Sequence, residues 1–287
     1  MNLKEGLVGI IDVGGGMRGA YSAGIYDFLL EQQIEFDYCL GISAGSANLI
    51  TYLARQKGRT IKFYTEYSFR KEYMGIFNFI KSGSYLDLNY IYSTLSNSDG
   101  ENPIDYAAFV KSEARFVVAV TDALSGNPHY FKNSDIHENE YDVIKASCAM
   151  PLVCKPYKVN GRFYFDGGIS EPIPYQKAFS DGCERLVVIL TRPRDFVRPP
   201  QNHTVLFRRA LRQYPETFRA LNERHFRYNK AVRILKEYEK NGRVLIIAPS
   251  DITGMKTLTK DKAVIERLYQ YGYEDGRKVA DFYNGLT

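Results

Sequence analysis

The chain has 287 residues, 45% of them hydrophobic, and a formal net charge of +5. This length suffices for one substantial hydrophobic core, and anything beyond one domain with an extension needs separate support. The N-terminal residues lack the apolar segment of a signal peptide, and the first apolar run, residues 7–13, contains Asp12 and is too short to span a bilayer. We therefore expect a cytoplasmic protein.

The cysteines argue against two kinds of site. Cys39, Cys148, Cys154 and Cys183 form no Cys-x-x-Cys pair and have no histidine at a matching spacing. The sequence therefore predicts neither a zinc site nor a disulfide framework, and buried free thiols are the simpler interpretation.

Two strand-turn-helix units open the chain. Residues 7–11 form a continuous apolar run, typical of a strand buried on both faces, and a helix is predicted from residue 20 to about residue 31. Residues 38–42 form a second apolar run, and a second helix is predicted over residues 44–55. Two such units in succession predict a parallel sheet.

The glycine-rich turn of the first unit has three interpretations. Residues 14–19 read GGGMRG, which also fits the dinucleotide-binding fingerprint, but the acidic residue that this fingerprint requires after the second strand is missing. Backbone N–H groups at a helix N-terminus also stabilise an oxyanion, so Gly14, Gly15 and Gly16 are predicted to bind one. A purely structural turn is the third interpretation. Arg18 is a candidate ligand for a substrate phosphate or carboxylate, and a solvated arginine is the plainer account.

The turn of the second unit carries a candidate nucleophile. Residues 41–45 read GISAG, a pattern that is weak by itself. Here a strand leads into it and a helix leads out, and the flanking glycines relieve the crowding of a sharp turn that projects the serine. We therefore predict that Ser43 is a nucleophile, with a helix N-cap serine as the alternative.

Residues 69–95 are unusually aromatic. One interpretation is a lid or an acyl-chain wall beside Ser43, because a site for an apolar substrate needs a large apolar lining. Ordinary helix packing explains the same residues about as well. The residues concerned are Phe69, Tyr73, Phe77, Phe79, Tyr85, Tyr90 and Tyr92, with apolar Met74, Ile76 and Ile80 among them.

A candidate base follows a predicted hairpin. Residues 115–120 and 185–190 are candidate buried strands, and the pair Asn160-Gly161 signals a two-residue hairpin turn. Asp166 then lies where the second strand of that hairpin ends, followed by two glycines. A carboxylate held beside a serine can act as its general base if burial raises the carboxylate pKa. The alternative is a simple turn aspartate.

Histidine is the more usual base for a serine nucleophile. The chain contains His129, His137, His203 and His225, and none has a local context that singles it out. The chain order Ser43, Asp166, His203 leaves His203 open as a third member of the site.

The C-terminal region has a different charge balance. Residues 192–243 contain 14 Lys and Arg against 5 Asp and Glu. Apolar positions from residue 211 to residue 235 recur at steps of three and four, which predicts a helix that restarts near Pro215. A strand at residues 243–248 and two short helices, near residues 261–271 and 274–283, are predicted to follow.

This basic stretch has two interpretations. It can lie on an anionic membrane surface, with lysines and arginines near the lipid head groups. A solvated helix packed on the domain is the plainer account. Nucleic-acid binding is not expected, because no recognisable reading motif accompanies the charge.

Together these motifs resemble the patatin-like phospholipases, which share a glycine-rich loop, a Gly-x-Ser-x-Gly elbow and an Asp-Gly-Gly or Asp-Gly-Ala turn. The resemblance covers about residues 7–191, including segments 121–126 and 146–151. It implies an α/β fold, a three-layer α/β/α sandwich with a mainly parallel central sheet in residues 1–192. Residues 193–287 would be a mostly helical extension, packed on or beside that domain.

The resemblance also implies a serine hydrolase that cleaves lipid esters, as a phospholipase A or lysophospholipase does. Ser43 would be the nucleophile and Asp166 its base, with the amides of Gly15 and Gly16 in the oxyanion hole and no metal or cofactor. Two alternatives stay open. One is a general esterase or thioesterase with the same dyad, and the other is a non-catalytic protein that binds nucleotide or lipid.

Overall fold

Eight strands form one sheet in the part of the chain that the computed structural model describes, residues 6–285. The apolar runs predicted as strands all lie in this sheet. The strands are β1 (Leu7–Asp12), β2 (Tyr38–Ile42), β3 (Arg115–Asp122), β4 (Pro128–Lys132), β5 (Tyr157–Val159), β6 (Arg162–Asp166), β7 (Cys183–Ile189) and β8 (Val244–Ile247).

The sheet is mixed but mainly parallel. Its strand order is β5-β6-β3-β2-β1-β7-β8, and β4 pairs with β3 off this path. The neighbours among β1, β2, β3, β7 and β8 are parallel, whereas β4 and β6 run antiparallel to β3. The hairpin between β5 and β6 turns at Asn160 and Gly161, which have φ of 47° and 82°, as the sequence predicts.

Ten α-helices connect or flank these strands within residues 6–285. They are α1 (Ala20–Glu31), α2 (Ala44–Leu53), α3 (Arg59–Thr65), α4 (Ile76–Ser82), α5 (Tyr106–Lys111), α6 (Asp142–Ser147), α7 (Tyr175–Ser180), α8 (Thr204–Ala210), α9 (Pro215–Lys240) and α10 (Lys262–Tyr283).

Helices cover both faces of the sheet, which gives the predicted three-layer sandwich. Successive residues of the central strands point to opposite faces. Ile10 and Cys39 therefore belong to the core beneath α1, α2 and α10, whereas Ile11 and Leu40 belong to the core beneath α7 and α9. Burial on both faces explains why these strands are continuous apolar runs.

The C-terminal region shares this sheet and both cores. Strand β8 pairs with β7, and α9 begins at Pro215, in the first helical turn, where a missing N–H leaves no bond unmade. The prediction of two short helices after residue 260 is wrong, because α10 is continuous. Gly272 lets α10 approach α1 closely: a Cβ there would lie 1.8 Å from the carbonyl oxygen of Tyr21.

The sheet register brings two chain segments end to end. Strand β2 pairs with β3 as far as Ala119, and β6 pairs with β3 from Val120 onward. Strand β4 pairs with residues 117–121 and therefore occupies the other edge of β3. Strands β2 and β6 thus share one edge and run toward each other, so Ser43, just after β2, meets Asp166, the last residue of β6.

Candidate active site

Ser43 lies in a strained turn between β2 and α2. Its φ of 55° and ψ of −134° are rare for any residue other than glycine. A Cβ on Gly41 would lie 2.4 Å from Ser46 Cα, and one on Gly45 would lie 2.4 Å from the carbonyl oxygen of Asp12. The turn therefore requires both glycines of the GISAG pattern.

The side chain of Ser43 points to Asp166 rather than to its own helix. It makes no capping hydrogen bond with α2, although Ser43 occupies the N-cap position. Instead the hydroxyl lies near the Asp166 carboxylate, whose pKa it lowers as a potential hydrogen-bond donor. The N–H of Ser43 donates to Ser147 Oγ at 2.8 Å, and Ser147 Oγ donates to the carbonyl oxygen of Ala119 at 2.8 Å. Ser147 thereby ties the turn to β3.

Asp166 is a buried carboxylate whose side chain and backbone carbonyl both accept hydrogen bonds. Its side chain accepts a hydrogen bond from the N–H of Gly168 at 2.8 Å, and its carbonyl oxygen accepts one from Thr121 Oγ1 at 2.8 Å. Burial raises the pKa of Asp166 above 3.8, and the cation of Arg224 and the nearby hydroxyl of Ser43 oppose that rise. A carboxylate with a raised pKa is a stronger base for a serine proton.

The glycine loop adopts a backbone that only glycine tolerates well. Gly14, Gly15 and Gly16 have φ of 62°, 136° and 60°. The N–H of Gly14 donates to Asp12 Oδ1 at 2.9 Å, and its carbonyl oxygen accepts a hydrogen bond from Thr191 Oγ1. Gly15 and Gly16 line the same cavity as Ser43. Of the three glycines predicted to bind an oxyanion, these two present backbone at the cavity.

Asp12, at the end of β1, accepts a hydrogen bond from the N–H of Gly14 and so supports the glycine loop. The sequence patterns do not single out this residue. Burial raises its pKa to about 6, and Tyr26 Oη donates to its carboxylate at 3.3 Å. The sequence signal that could have identified Asp12 is a carboxylate at the end of an apolar strand, next to a run of glycines. Its role is to position Gly14.

A cavity of about 470 Å³ contains Ser43 and Asp166. Part of the aromatic segment forms its apolar wall, as one interpretation of residues 69–95 predicts. The residues of the segment that line it are Tyr73, Met74, Leu86, Ile91 and Tyr92. Met74 and Leu86 form an isolated antiparallel β-bridge that closes the loop containing α4. Helix α4 itself buries none of its residues.

The cavity also has a basic side. Arg18 is 6% exposed and donates to Thr257 Oγ1 at 3.0 Å, so it is not a solvated arginine. Three arginines from the C-terminal region, which the sequence patterns do not mark as site residues, line the cavity with it: Arg192, Arg198 and Arg224.

The histidines take other positions. His203 lines the cavity but is exposed, and within residues 6–285 its ring makes no hydrogen bond with Ser43 or Asp166. His129 stacks on Tyr164, and His225 Nδ1 lies 2.8 Å from the carbonyl oxygen of Asn222. Among the described residues, the Ser43 hydroxyl thus has a carboxylate near it and no hydrogen-bonded imidazole.

Comparisons with known proteins relate two parts of the chain to families. The family described as patatin-like phospholipase matches residues 13–179, and a domain of unknown function, DUF6363, matches residues 214–283. The uncharacterized protein YjjU of Escherichia coli strain K12 is 31% identical over 200 residues, which cover 69% of this chain and 56% of that relative. The chain thus spans a little over half the length of this relative.

Among solved structures, VipD from Legionella pneumophila aligns over 96% of this chain and 67% of its own, at 14% identity and a TM-score of 0.46. Within residues 6–285, no helix combines the length and hydropathy that crossing a bilayer requires.

Proposed function

The chain belongs to the patatin-like phospholipase family, because the family match over residues 13–179 covers more than half of it, and we propose a function on that basis. We propose that the protein is a lipid acyl hydrolase of the phospholipase A or lysophospholipase type. One observation carries the proposal. A serine in a strained elbow and a buried carboxylate with a raised pKa line the same cavity, which also has an apolar wall.

In the proposed reaction, Asp166 removes the proton from Ser43 Oγ as that oxygen attacks the ester carbonyl carbon. The N–H groups of Gly15 and Gly16 stabilise the tetrahedral oxyanion. Asp166 returns the proton to the leaving alcohol oxygen as the ester bond breaks, which leaves an acyl-enzyme on Ser43. A water molecule, deprotonated by Asp166, then attacks the acyl carbon, and Ser43 Oγ leaves with the proton as the fatty acid departs.

The apolar wall supports a lipid substrate. The cavity lining includes Tyr73, Met74, Leu86, Ile91 and Tyr92. Burial of each methylene of an acyl chain against such a wall contributes about 0.8 kcal/mol. A soluble short-chain ester would leave most of this wall unused.

The proposal includes peripheral contact with an anionic membrane surface by a cytoplasmic enzyme. On helix α4, the residues Ile76, Phe77 and Ile80 are 59%, 76% and 75% exposed to solvent. The basic residue Lys81 lies next to them in the same helix. Apolar side chains flanked by cations suit the interface of an anionic bilayer. The free, buried cysteines support a reducing compartment.

Fatty-acid release tests the function. Wild type and Ser43→Ala are compared on phospholipid, lysophospholipid and a soluble chromogenic ester. We expect release from the lipids by wild type only. Turnover of the soluble ester alone would favour the general esterase, and lipid binding without release by wild type would favour the non-catalytic alternative.

A further inference from the structure

Four arginine side chains gather on one side of the cavity. They also line a small adjoining recess of about 30 Å³, together with Gly15 and Tyr228. One arginine belongs to the turn after the glycine loop, and three come from residues beyond β7. The four are Arg18, Arg192, Arg198 and Arg224.

Among the described residues, the arginine cluster lies beside one carboxylate, that of Asp166, and forms no ion pair with it. Within residues 6–285, none of the four side chains forms an ion pair with a carboxylate within 4.0 Å. The Nε atom of each is buried without a hydrogen-bond partner among the described residues. Burial, reinforced by the neighbouring arginines, lowers the pKa of Arg18 and of Arg198 to about 9. Arg18 is buried and the other three are half-buried, so their charges are partly desolvated without an ion pair, and a bound anion would relieve that cost.

The cluster is held in place by contacts that leave its charge free. The guanidinium of Arg192 stacks 4.3 Å from the ring centre of Phe196, and that of Arg198 stacks 4.7 Å from the ring centre of Tyr228. Asn229 binds both the N–H and the carbonyl oxygen of Arg198, at 2.8 and 3.0 Å. Such preorganisation reduces the entropy lost when a ligand binds.

The cluster adjoins the reacting groups. A Cβ built on Gly168 would lie 2.9 Å from Arg224 Nη2 and 3.1 Å from Asp166 Oδ1, so both atoms border the same glycine. A Cβ on Gly15 would lie 3.1 Å from Arg18 Nη2. An anion bound by these arginines would therefore lie next to both Asp166 and the glycine loop. One substrate molecule could place its ester at Ser43 and an anionic group at the arginines.

The chemistry of the cavity lining limits the class of ligand that can bind there. Planar guanidinium groups match the oxygens of a phosphate and bind them in pairs. A zwitterionic head group would also bring an ammonium group, and Asp166 is the only carboxylate among the described residues that line the cavity. That ammonium group would face four cations. A head group with net negative charge meets no such penalty.

We infer that the arginine cluster binds the phosphate of the substrate's head group, so that the enzyme selects lipid esters whose head group is net anionic. This inference rests on the proposed function and names its substrate class. Free inorganic phosphate shares the same chemistry, and the experiment below separates the two sources.

The main arm compares phosphatidic acid with phosphatidylcholine of identical acyl chains, each diluted in neutral detergent micelles so that surface charge is low. The enzymes are wild type, Arg192→Gln, the double variant Arg192→Gln/Arg198→Gln, and Arg233→Gln. Arg233 is exposed on α9 and serves as a matched control for loss of one positive charge. The quantity measured is the ratio of kcat/KM for the anionic lipid to kcat/KM for the zwitterionic lipid.

We expect wild type and Arg233→Gln to favour phosphatidic acid by about tenfold or more. The ratio should fall by about tenfold in Arg192→Gln and further in the double variant, mainly through KM. An equal ratio in wild type and the arginine variants, or a wild-type preference for phosphatidylcholine, would overturn the assignment of the head group.

The second arm measures the Tm with inorganic phosphate against chloride at equal ionic strength. A phosphate-dependent rise in wild type that the double variant loses supports an anion site at the cluster. If this rise occurs without lipid preference, the site takes free phosphate and the head-group assignment is wrong. If neither occurs, the anion site itself is wrong.

Labelling of Ser43 by a fluorophosphonate separates failure of this inference from failure of the proposed function. Labelled enzyme without lipid preference would refute only the inference. Unlabelled, inactive enzyme that still shows the phosphate-dependent rise in Tm would refute the proposed function and retain the anion site.

Discussion

The two sides of the cavity are built in different ways. At the catalytic side, Ser43 and Asp166 meet because β2 and β6 share one edge of β3, and hydrogen bonds with neighbouring groups hold them in place. At the basic side, four arginines converge from distant segments, with their Nε atoms unpaired. The difference fits the proposal of a catalytic side that is complete in itself and a recognition side that a ligand completes.

The largest expected effect breaks the catalytic side alone. Asp166→Asn removes the base while keeping the size of the side chain, so kcat/KM on a soluble chromogenic ester should fall by about 10³-fold or more. The Tm should not fall, since the substitution removes a buried charge. Ser43→Ala should lose as much activity, and the double variant no more than either. An Asp166→Asn enzyme that keeps a tenth of the activity would refute its role as base.

The second effect concerns the glycine loop. Gly16→Ala should lower kcat by about 10²- to 10³-fold, because its Cβ would lie 2.4 Å from the carbonyl oxygen of Thr257 and displace an oxyanion donor. Gly58→Ala is the matched control: Gly58 also has positive φ, and its Cβ would meet nothing within 4 Å. Equal losses in both variants would show that backbone strain, not the oxyanion hole, is responsible.

The third effect separates chemistry from access to lipid. Phe77→Glu/Ile80→Glu on α4 should lower hydrolysis of anionic vesicles by about tenfold, because two side chains no longer enter the interface. Hydrolysis of a soluble monomeric ester should change little. Val110→Glu replaces an exposed residue of α5 and should change neither rate. Equal loss on vesicles and on the soluble ester would rule out α4 as a membrane contact.

The smallest effect tests the link between the two sides. Asp166 must be ionised to act, so kcat/KM should fall as the pH drops through its pKa, which burial raises above 3.8. The cation of Arg224 favours the ionised form, so Arg224→Gln should move this acidic limb to higher pH. Arg233→Gln should not move it. A limb that stays in place in Arg224→Gln would show that the two sides are not coupled.

The local structure around Ser43 and Asp166 was largely predictable from the sequence because its signals are short-range. A strand, a glycine-flanked serine and a helix stand together near Ser43, and a hairpin turn places Asp166 at a strand end. What the sequence does not indicate is that β2 and β6 abut on one edge of β3, since that depends on sheet register. The contacts of Asp12 and Ser147 likewise depend on packing between distant segments.

Of the basic side, only Arg18 was a candidate from the sequence, because arginines in a basic C-terminal stretch usually lie on a solvated helix face. Arg192, Arg198 and Arg224 look no different in the sequence from exposed Arg233. Only the packing of α9 against the sheet and the stacking of arginines on aromatic rings turn three of them inward. The same dependence on packing explains why α10 is one helix, since the closeness of α1 is not visible locally.

The central claim is that Ser43 and Asp166 form a working dyad without histidine. We would treat wild type, Ser43→Ala, Asp166→Asn and His203→Ala with a fluorophosphonate probe and measure intact mass. We expect a single adduct on wild type and on His203→Ala, and none on the other two variants. If folded wild type takes no adduct, with or without detergent micelles, Ser43 is not an activated nucleophile. If His203→Ala loses the adduct, the dyad does not work without histidine.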